Sequence, residues 1–267
     1  MIKAAVLGSP ISHSLSPLLH NTAYAQLGLS ASYEAIDVEA HSLAKFVDER
    51  DASWTGFSLT MPLKEEAISY AKHVDDLALR INSANTLYRK AGEWYATSTD
   101  VIGFRNALEM HKVEVKGHVV ILGAGATARA AAAACDGSQT QITVINRSLE
   151  RVQAMSDAVI ESELSFLNWD DLSVLADADL VISTAPAGVT DSIEIPAKTS
   201  APYFEVLYKP WPTPASAMWA SRGGKVIDGL DLLIHQALAQ IAIFSGETFD
   251  SALMYTKLRE VGLAALK

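Results

Sequence analysis

The chain has 267 residues, 49% of them hydrophobic, and 31 acidic against 21 basic side chains, a formal charge of −10. That hydrophobicity excludes a disordered chain, and at about 100 to 200 residues per domain the length fits one large or two ordinary domains. A single Cys excludes an intrachain disulfide framework and a cysteine zinc site, and an acidic balance without a basic run excludes nucleic acid as a partner.

The chain opens MIKAAVLGSPISHS, whose apolar stretch is too short for a signal peptide. No run reaches the roughly 18 apolar residues of a membrane span, so a cytoplasmic chain with no membrane partner is expected. Residues 4–7 read as a strand and 17–27 as a helix, with Ser16 as N-cap, Pro17 at the first helical position and Gly28 closing it. Residues 33–38 alternate as a strand, 43–50 are helical, 56–60 form a third strand, and Pro62 opens a helix toward Lys72. Residues 85–99 contain two β-rich pieces around Ala91-Gly92, a hairpin. Beyond Asp100, strands at 118–122, 141–145, 164–166, 180–183, 204–207 and 225–227 are separated by helical segments. This wiring predicts an α/β, doubly wound parallel sheet with its ligand at the carboxyl ends of the strands. Helices at 230–244 and 248–266 finish the chain.

Gly123-Ala124-Gly125-Ala126-Thr127-Ala128 fits GxGxx(G/A) at the point where an apolar strand ends and an Ala-rich helix begins. Gly123 makes the tight turn, Gly125 admits a pyrophosphate against bare backbone, and Ala128 lets the helix lie close to the sheet. The helix N-terminus offers free N–H groups and positive dipole. About 20 residues further on, NAD-binding chains place Asp or Glu on the ribose. Here the strand ends Asn146-Arg147-Ser148, with Arg151 following, so two guanidinium groups stand where a 2′-phosphate would be held and no carboxylate repels it. NADP is therefore the cofactor expected.

Between the first strand and helix, Ser14 and Ser16 are two apart, and in an extended stretch both hydroxyls face one object, such as a carboxylate. The alternative is plain N-capping by Ser16, with Ser14 incidental. The segment Ser58-Leu59-Thr60-Met61-Pro62-Leu63-Lys64 delivers Lys64 into the first turn of a helix, where the dipole disfavours a cation. Asn85-Thr86 and Ser98-Thr99-Asp100 supply the context, with Asp100 at the expected domain junction. A Lys64–Asp100 pair there could give a proton to a developing alkoxide. The seven histidines show no i, i+3 or i, i+4 pair, so no metal site is expected, and Cys135 reads as a small core residue.

Taken together, GSPISHSLSP, SLTMPLKEEA, SANTL, STD, GAGATARA, NRSLER, FEVLYKPWPTP and DGLDLLIHQA make the chain resemble the shikimate dehydrogenase family along nearly its full length. The resemblance implies reversible NADPH-dependent reduction of 3-dehydroshikimate to shikimate in aromatic amino-acid biosynthesis. Ser14 and Ser16, helped by Tyr208, would hold the substrate carboxylate; Thr60, Lys64, Asn85, Asp100 and Gln236 would bond the ring hydroxyls. Lys64 with Asp100 would be the catalytic pair, and Thr184 and Gly229 would join Gly123, Ala124, Gly125, Ala126, Asn146, Arg147, Ser148 and Arg151 at the cofactor. The implied fold has a discontinuous substrate domain, residues 1–100 and 231–267, and a Rossmann NADP domain, residues 101–230, in a monomer or homodimer. Ser58, Leu63, Ser98 and Val101 depart from the commonest family pattern, which leaves quinate open as a second substrate; the alternatives are a quinate/shikimate dehydrogenase that prefers NAD and a noncatalytic NADP-binding regulator on the same fold.

Overall fold

The computed structural model describes residues 1–197 and 199–267, with Leu149 described for its backbone alone. The chain divides into two units, Met1–Gly103 with Leu233–Lys267, and Phe104–Leu232.

The first unit begins with β1 (Ile2–Gly8), α1 (Ser16–Gln26), β2 (Ala31–Asp37), α2 (Leu43–Asp48) and β3 (Gly56–Leu59). Then come α3 (Glu66–Tyr70), β4 (His73–Val74), α4 (Asp76–Arg80), β5 (Thr86–Lys90) and β6 (Glu93–Thr97). The six strands lie in the order β2-β1-β3-β5-β6-β4, with β1 parallel to both β2 and β3. β5 and β6 form the expected antiparallel hairpin, and its two turn residues, Ala91 (φ 52) and Gly92 (φ 84), both take the positive φ that a two-residue type I′ turn requires. One face of this sheet buries Leu7, Phe57, Leu59, Leu63 and Leu87 with Trp54. The short β4 and α4, capped by the Asp75 side chain at Ala78 N–H, had no signal strong enough to be expected.

Two local expectations are corrected. Ser16 is not the N-cap of α1 but its first, buried residue; Leu15 precedes it, and the hydroxyl that accepts a backbone N–H there belongs to Ser14, from Ser16 at 3.2 Å. Pro62 does not open a helix either: residues 61–65 form a turn, and α3 starts at Glu66. The reason is that the Lys64 carbonyl accepts from Ala84 N–H at 2.9 Å instead of from Ile68, which donates to Glu65. Gly28, at φ 67, does close α1 in the left-handed conformation that a helix end favours.

α5 (Asp100–Met110) carries the chain into the second unit. There follow β7 (Gly117–Leu122), α6 (Ala126–Cys135), β8 (Thr140–Asn146), a 3-10 turn at Leu149–Arg151, α7 (Val152–Asp157) and β9 (Glu163–Asn168). A second 3-10 turn, Ser173–Ala176, leads to β10 (Leu180–Ser183), β11 (Tyr203–Glu205), α8 (Pro214–Ser221) and β12 (Val226–Ile227). The strands are all parallel, in the order β12-β11-β10-β7-β8-β9. This is the Rossmann arrangement, and the direction of winding reverses between β7 and β10, where such sheets bind their ligands. Val120, Leu122, Val181, Tyr203 and Trp219 build the core on one face. α9 (Gly229–Ser245) and α10 (Ser251–Ala265) complete the chain, most of α9 and all of α10 lying in the first unit.

Candidate active site

In the first unit the structure brings Lys64, Asn85, Asp100 and Gln236 together. Lys64, in the turn after β3, donates from Nζ to Asp100 Oδ2 at 2.5 Å, with the two side chains 13% and 7% exposed. Asp100 Oδ1 accepts from Asn85 Nδ2 at 2.7 Å, and the same amide donates to Gln236 Oε1 at 3.3 Å. The orientation of the Asn85 amide is forced. Its Oδ1 accepts from Thr99 N–H at 2.7 Å, from Thr99 Oγ1 at 3.1 Å and from Thr86 Oγ1 at 2.9 Å, and a backbone N–H can only donate. The carboxylate of Asp100 is thus held on one oxygen by a neutral amide and on the other by an ammonium group. Charge-assisted bonds of this kind are about twice as strong as neutral ones.

Ser14 and Ser16 also come together, but through a turn instead of an extended stretch, because Ser14 N–H donates to Ile11 at 3.0 Å. Thr60, half-buried, ends the strand segment, and its Cγ2 fills the space a side chain on Gly8 would need: a Cβ there would stand 2.4 Å from it. Tyr208 belongs to the second unit, half-buried in the segment between β11 and α8.

Of the remaining expected residues, all but Gly229, which follows β12, lie at the carboxyl ends of β7, β8 and β10 or in the 3-10 turn after β8. Gly123 takes φ +107, strained for any side chain, and a Cβ on it would stand 2.7 Å from Thr184 Oγ1. Thr184 itself is tied to Leu122 by both its N–H and its hydroxyl, each at 2.9 Å. Ala124 is buried, Gly125 is the N-cap of α6, and no side chain caps the helix that starts at Ala126. A Cβ on Gly125 would meet Arg151 Nη1 at 3.4 Å, so the glycine keeps open the space between the loop and that guanidinium. Asn146 ends β8 and donates to the Ser148 carbonyl; Arg147 and Arg151 form no ion pair among the described residues. An open glycine loop, an uncapped helix N-terminus and two uncompensated cations fit a dinucleotide with a further phosphate on its ribose. Gly229 serves packing first: its N–H approaches the Leu207 carbonyl at 3.4 Å, and a Cβ would lie 2.1 Å from the Val206 carbonyl oxygen.

Burial pushes the Cys135 thiol up to about 12, which leaves it a core residue without nucleophilic character. Among the described residues no cluster of His, Cys, Asp or Glu suits a metal ion, and no helix is long and apolar enough to cross a membrane. Sequence reasoning missed Gln240, which lies one helical turn beyond Gln236 on α9; that i, i+4 spacing of two glutamines was the available signal.

Residues 6–87 match the family described as the shikimate dehydrogenase substrate binding domain, and residues 107–190 match shikimate/quinate 5-dehydrogenase. An NADP(+) shikimate dehydrogenase of Ignicoccus hospitalis is 33% identical over 248 residues, 91% of this chain and 92% of the relative. The chain belongs to the shikimate dehydrogenase family. Solved members of that family share its whole fold. The Mycobacterium tuberculosis shikimate dehydrogenase superposes with a TM-score of 0.87 at 36% identity, covering 97% of this chain and all of the other. The Thermus thermophilus enzyme, solved in complex with NADP(H) and shikimate, gives 0.86 at 30% identity over 97% of this chain and 99% of its own.

Proposed function

We propose that this member of the shikimate dehydrogenase family catalyses the reversible, NADPH-dependent reduction of 3-dehydroshikimate to shikimate, a step of aromatic amino-acid biosynthesis. The single observation that carries the chemistry is Lys64 clamped at 2.5 Å to an Asp100 whose other oxygen is already taken by Asn85. NADPH, when bound, would supply the hydride. Lys64 Nζ gives its proton to the oxygen that gains charge as the ring carbonyl is reduced, and takes a proton from the hydroxyl in the reverse direction. Asp100 aims the ammonium group and compensates its charge. Asn85 has both amide hydrogens engaged, so its contribution is to hold Asp100 and Gln236 in place.

Ser14 and Ser16, gathered at the start of α1, hold the substrate carboxylate; Thr60 and Gln236 bond ring hydroxyls. The first unit is the substrate-binding domain and the second the NADP domain. There, Gly123 to Ala126 would cradle the pyrophosphate, Asn146, Arg147, Ser148 and Arg151 the phosphorylated ribose, and Thr184 and Gly229 the nicotinamide end. Initial rates with shikimate and quinate, each against NADP and NAD, test the assignment. Shikimate with NADP should give the highest kcat/KM. In Lys64→Met the kcat should fall by about 10² to 10⁴ with a smaller effect on KM; near-normal turnover of that variant would overturn the mechanism.

A further inference from the structure

Ser58 and Gln240 are 182 residues apart in the chain, yet Ser58 Oγ donates to Gln240 Oε1 at 2.8 Å. Ser58 Oγ also accepts from the Tyr33 hydroxyl at 2.6 Å. At its far end Gln240 Nε2 donates to the Asn85 carbonyl at 3.1 Å and to Thr86 Oγ1 at 3.0 Å, and Thr86 Oγ1 donates to Asn85 Oδ1 at 2.9 Å. Each direction is forced in turn. The Asn85 carbonyl can only accept, so the Gln240 amide must present Nε2 to it and Oε1 to Ser58. Ser58 must then spend its one proton on Gln240, so it receives the proton of Tyr33. The result is a one-way series of donors, Tyr33 to Ser58 to Gln240 to Thr86 and Asn85, and it ends at Asp100 Oδ1. Ser58 and Gln240 are 4% and 1% exposed, and each both donates and accepts within the series.

We propose that Tyr33, Ser58 and Gln240 are positioning residues for the Lys64–Asp100 pair. Thr99 sets which way the Asn85 amide faces, and the Asn85 carbonyl, which accepts from Leu59 N–H at 2.7 Å in the sheet, is held from its other side by Gln240 Nε2 at 3.1 Å, the end of the series from Tyr33. With both fixed, Asn85 Nδ2 meets one oxygen of Asp100 and leaves the other for Lys64. This explains the serine at position 58, one of the departures from the commonest family pattern: it serves Gln240 and not the substrate. The inference rests on Lys64 and Asp100 being the catalytic pair.

The test uses Ser58→Ala, Ser58→Thr, Tyr33→Phe and Gln240→Met in the full chain, with shikimate oxidation by NADP as the assay and Tm as the measure of folding. Loss of one neutral hydrogen bond in the series should lower kcat about five- to tenfold while KM for shikimate stays within about twofold. Ser58→Thr, which keeps the hydroxyl, should return kcat to within about twofold of the parent. The Ser58→Ala, Gln240→Met double variant should lose no more than the worse single variant, as expected of links in one series. Tyr33→Phe removes only one hydroxyl at the end remote from Asp100, so it keeps the question open to test even if Gln240→Met does not fold. Unchanged kcat in folded Ser58→Ala and Tyr33→Phe, or a rise in KM alone, overturns the inference. Lys64→Met separates the two claims. If it keeps its turnover, the catalytic reading itself fails; if it loses turnover while Ser58→Ala and Tyr33→Phe keep theirs, only the positioning role fails.

Discussion

Acid should destabilise the first unit through His20. The imidazole is fully buried in α1, stacked on Tyr33 at 3.9 Å between ring centroids, with Nδ1 3.3 Å from the Tyr24 hydroxyl and Phe244 at 6.1 Å. Burial lowers its pKa from the usual 6.5 to about 3, and the nearby Gln240 amide offsets only part of that. The folded value lies below the unfolded one, so between these two pH values the unfolded chain binds more protons and stability falls as pH falls. At about 1.4 kcal/mol per pH unit for one proton, lowering the pH from 7 to 5 should cost about 2 kcal/mol through this residue alone. His20→Phe keeps a ring against Tyr33 and removes the titration. Urea unfolding of both proteins at pH 7 and 5, with hydrogen exchange of the β1 and β3 amides to read the first unit separately, measures the difference. The parent should lose about 2 kcal/mol more than His20→Phe; an equal loss in the two would refute the reasoning.

The second unit offers two further predictions. Arg147→Asp and Arg151→Ala should raise KM for NADP by about tenfold or more and leave KM for NAD nearly unchanged, because each removes a charge-assisted contact to a phosphate that NAD lacks; equal effects on both cofactors in steady-state kinetics would count against the assignment. Glu205 is fully buried and accepts from Tyr203 Oη, Thr213 Oγ1 and Leu207 N–H, each at 3.3 Å. Burial raises its pKa above the usual 4.5, so the folded state holds the proton more tightly and stability falls as pH rises above that value. Glu205→Gln should therefore gain Tm relative to the parent, and more at pH 8 than at pH 5; a pH-independent difference would show that the carboxyl does not titrate in folding.

Much of the molecule is legible locally. Strand β10 lies where alternation and apolar runs put it, and the Ala91-Gly92 hairpin is declared by its turn residues, since few residues other than glycine accept positive φ at low cost. The glycine loop is equally local: β7, Gly123, Gly125 and α6 follow one another within a single βα unit. Short pieces are harder. β4 and α4 have too few residues for a period to emerge, and the turn at residues 61–65 escaped because an Ala84 N–H, 20 positions away, takes the carbonyl that a helix would need.

The sequence by itself determined the fold class, the position of the glycine loop between β7 and α6, and which charged residues the proposal places at the site. A motif of contiguous residues states its own chemistry when backbone period and turn geometry are enough to place it. Tertiary structure alone decided which hydrogen-bonding groups are spent and which are available. Ser58, Asn85 and Gln240 come from β3, from the segment before β5 and from α9; only their burial side by side turns three ordinary polar residues into a directed series ending on Asp100. The physical reason is that a hydrogen bond acquires direction only from its partners, and those partners are brought together by the packing of the sheet against α9 and not by their distance along the chain.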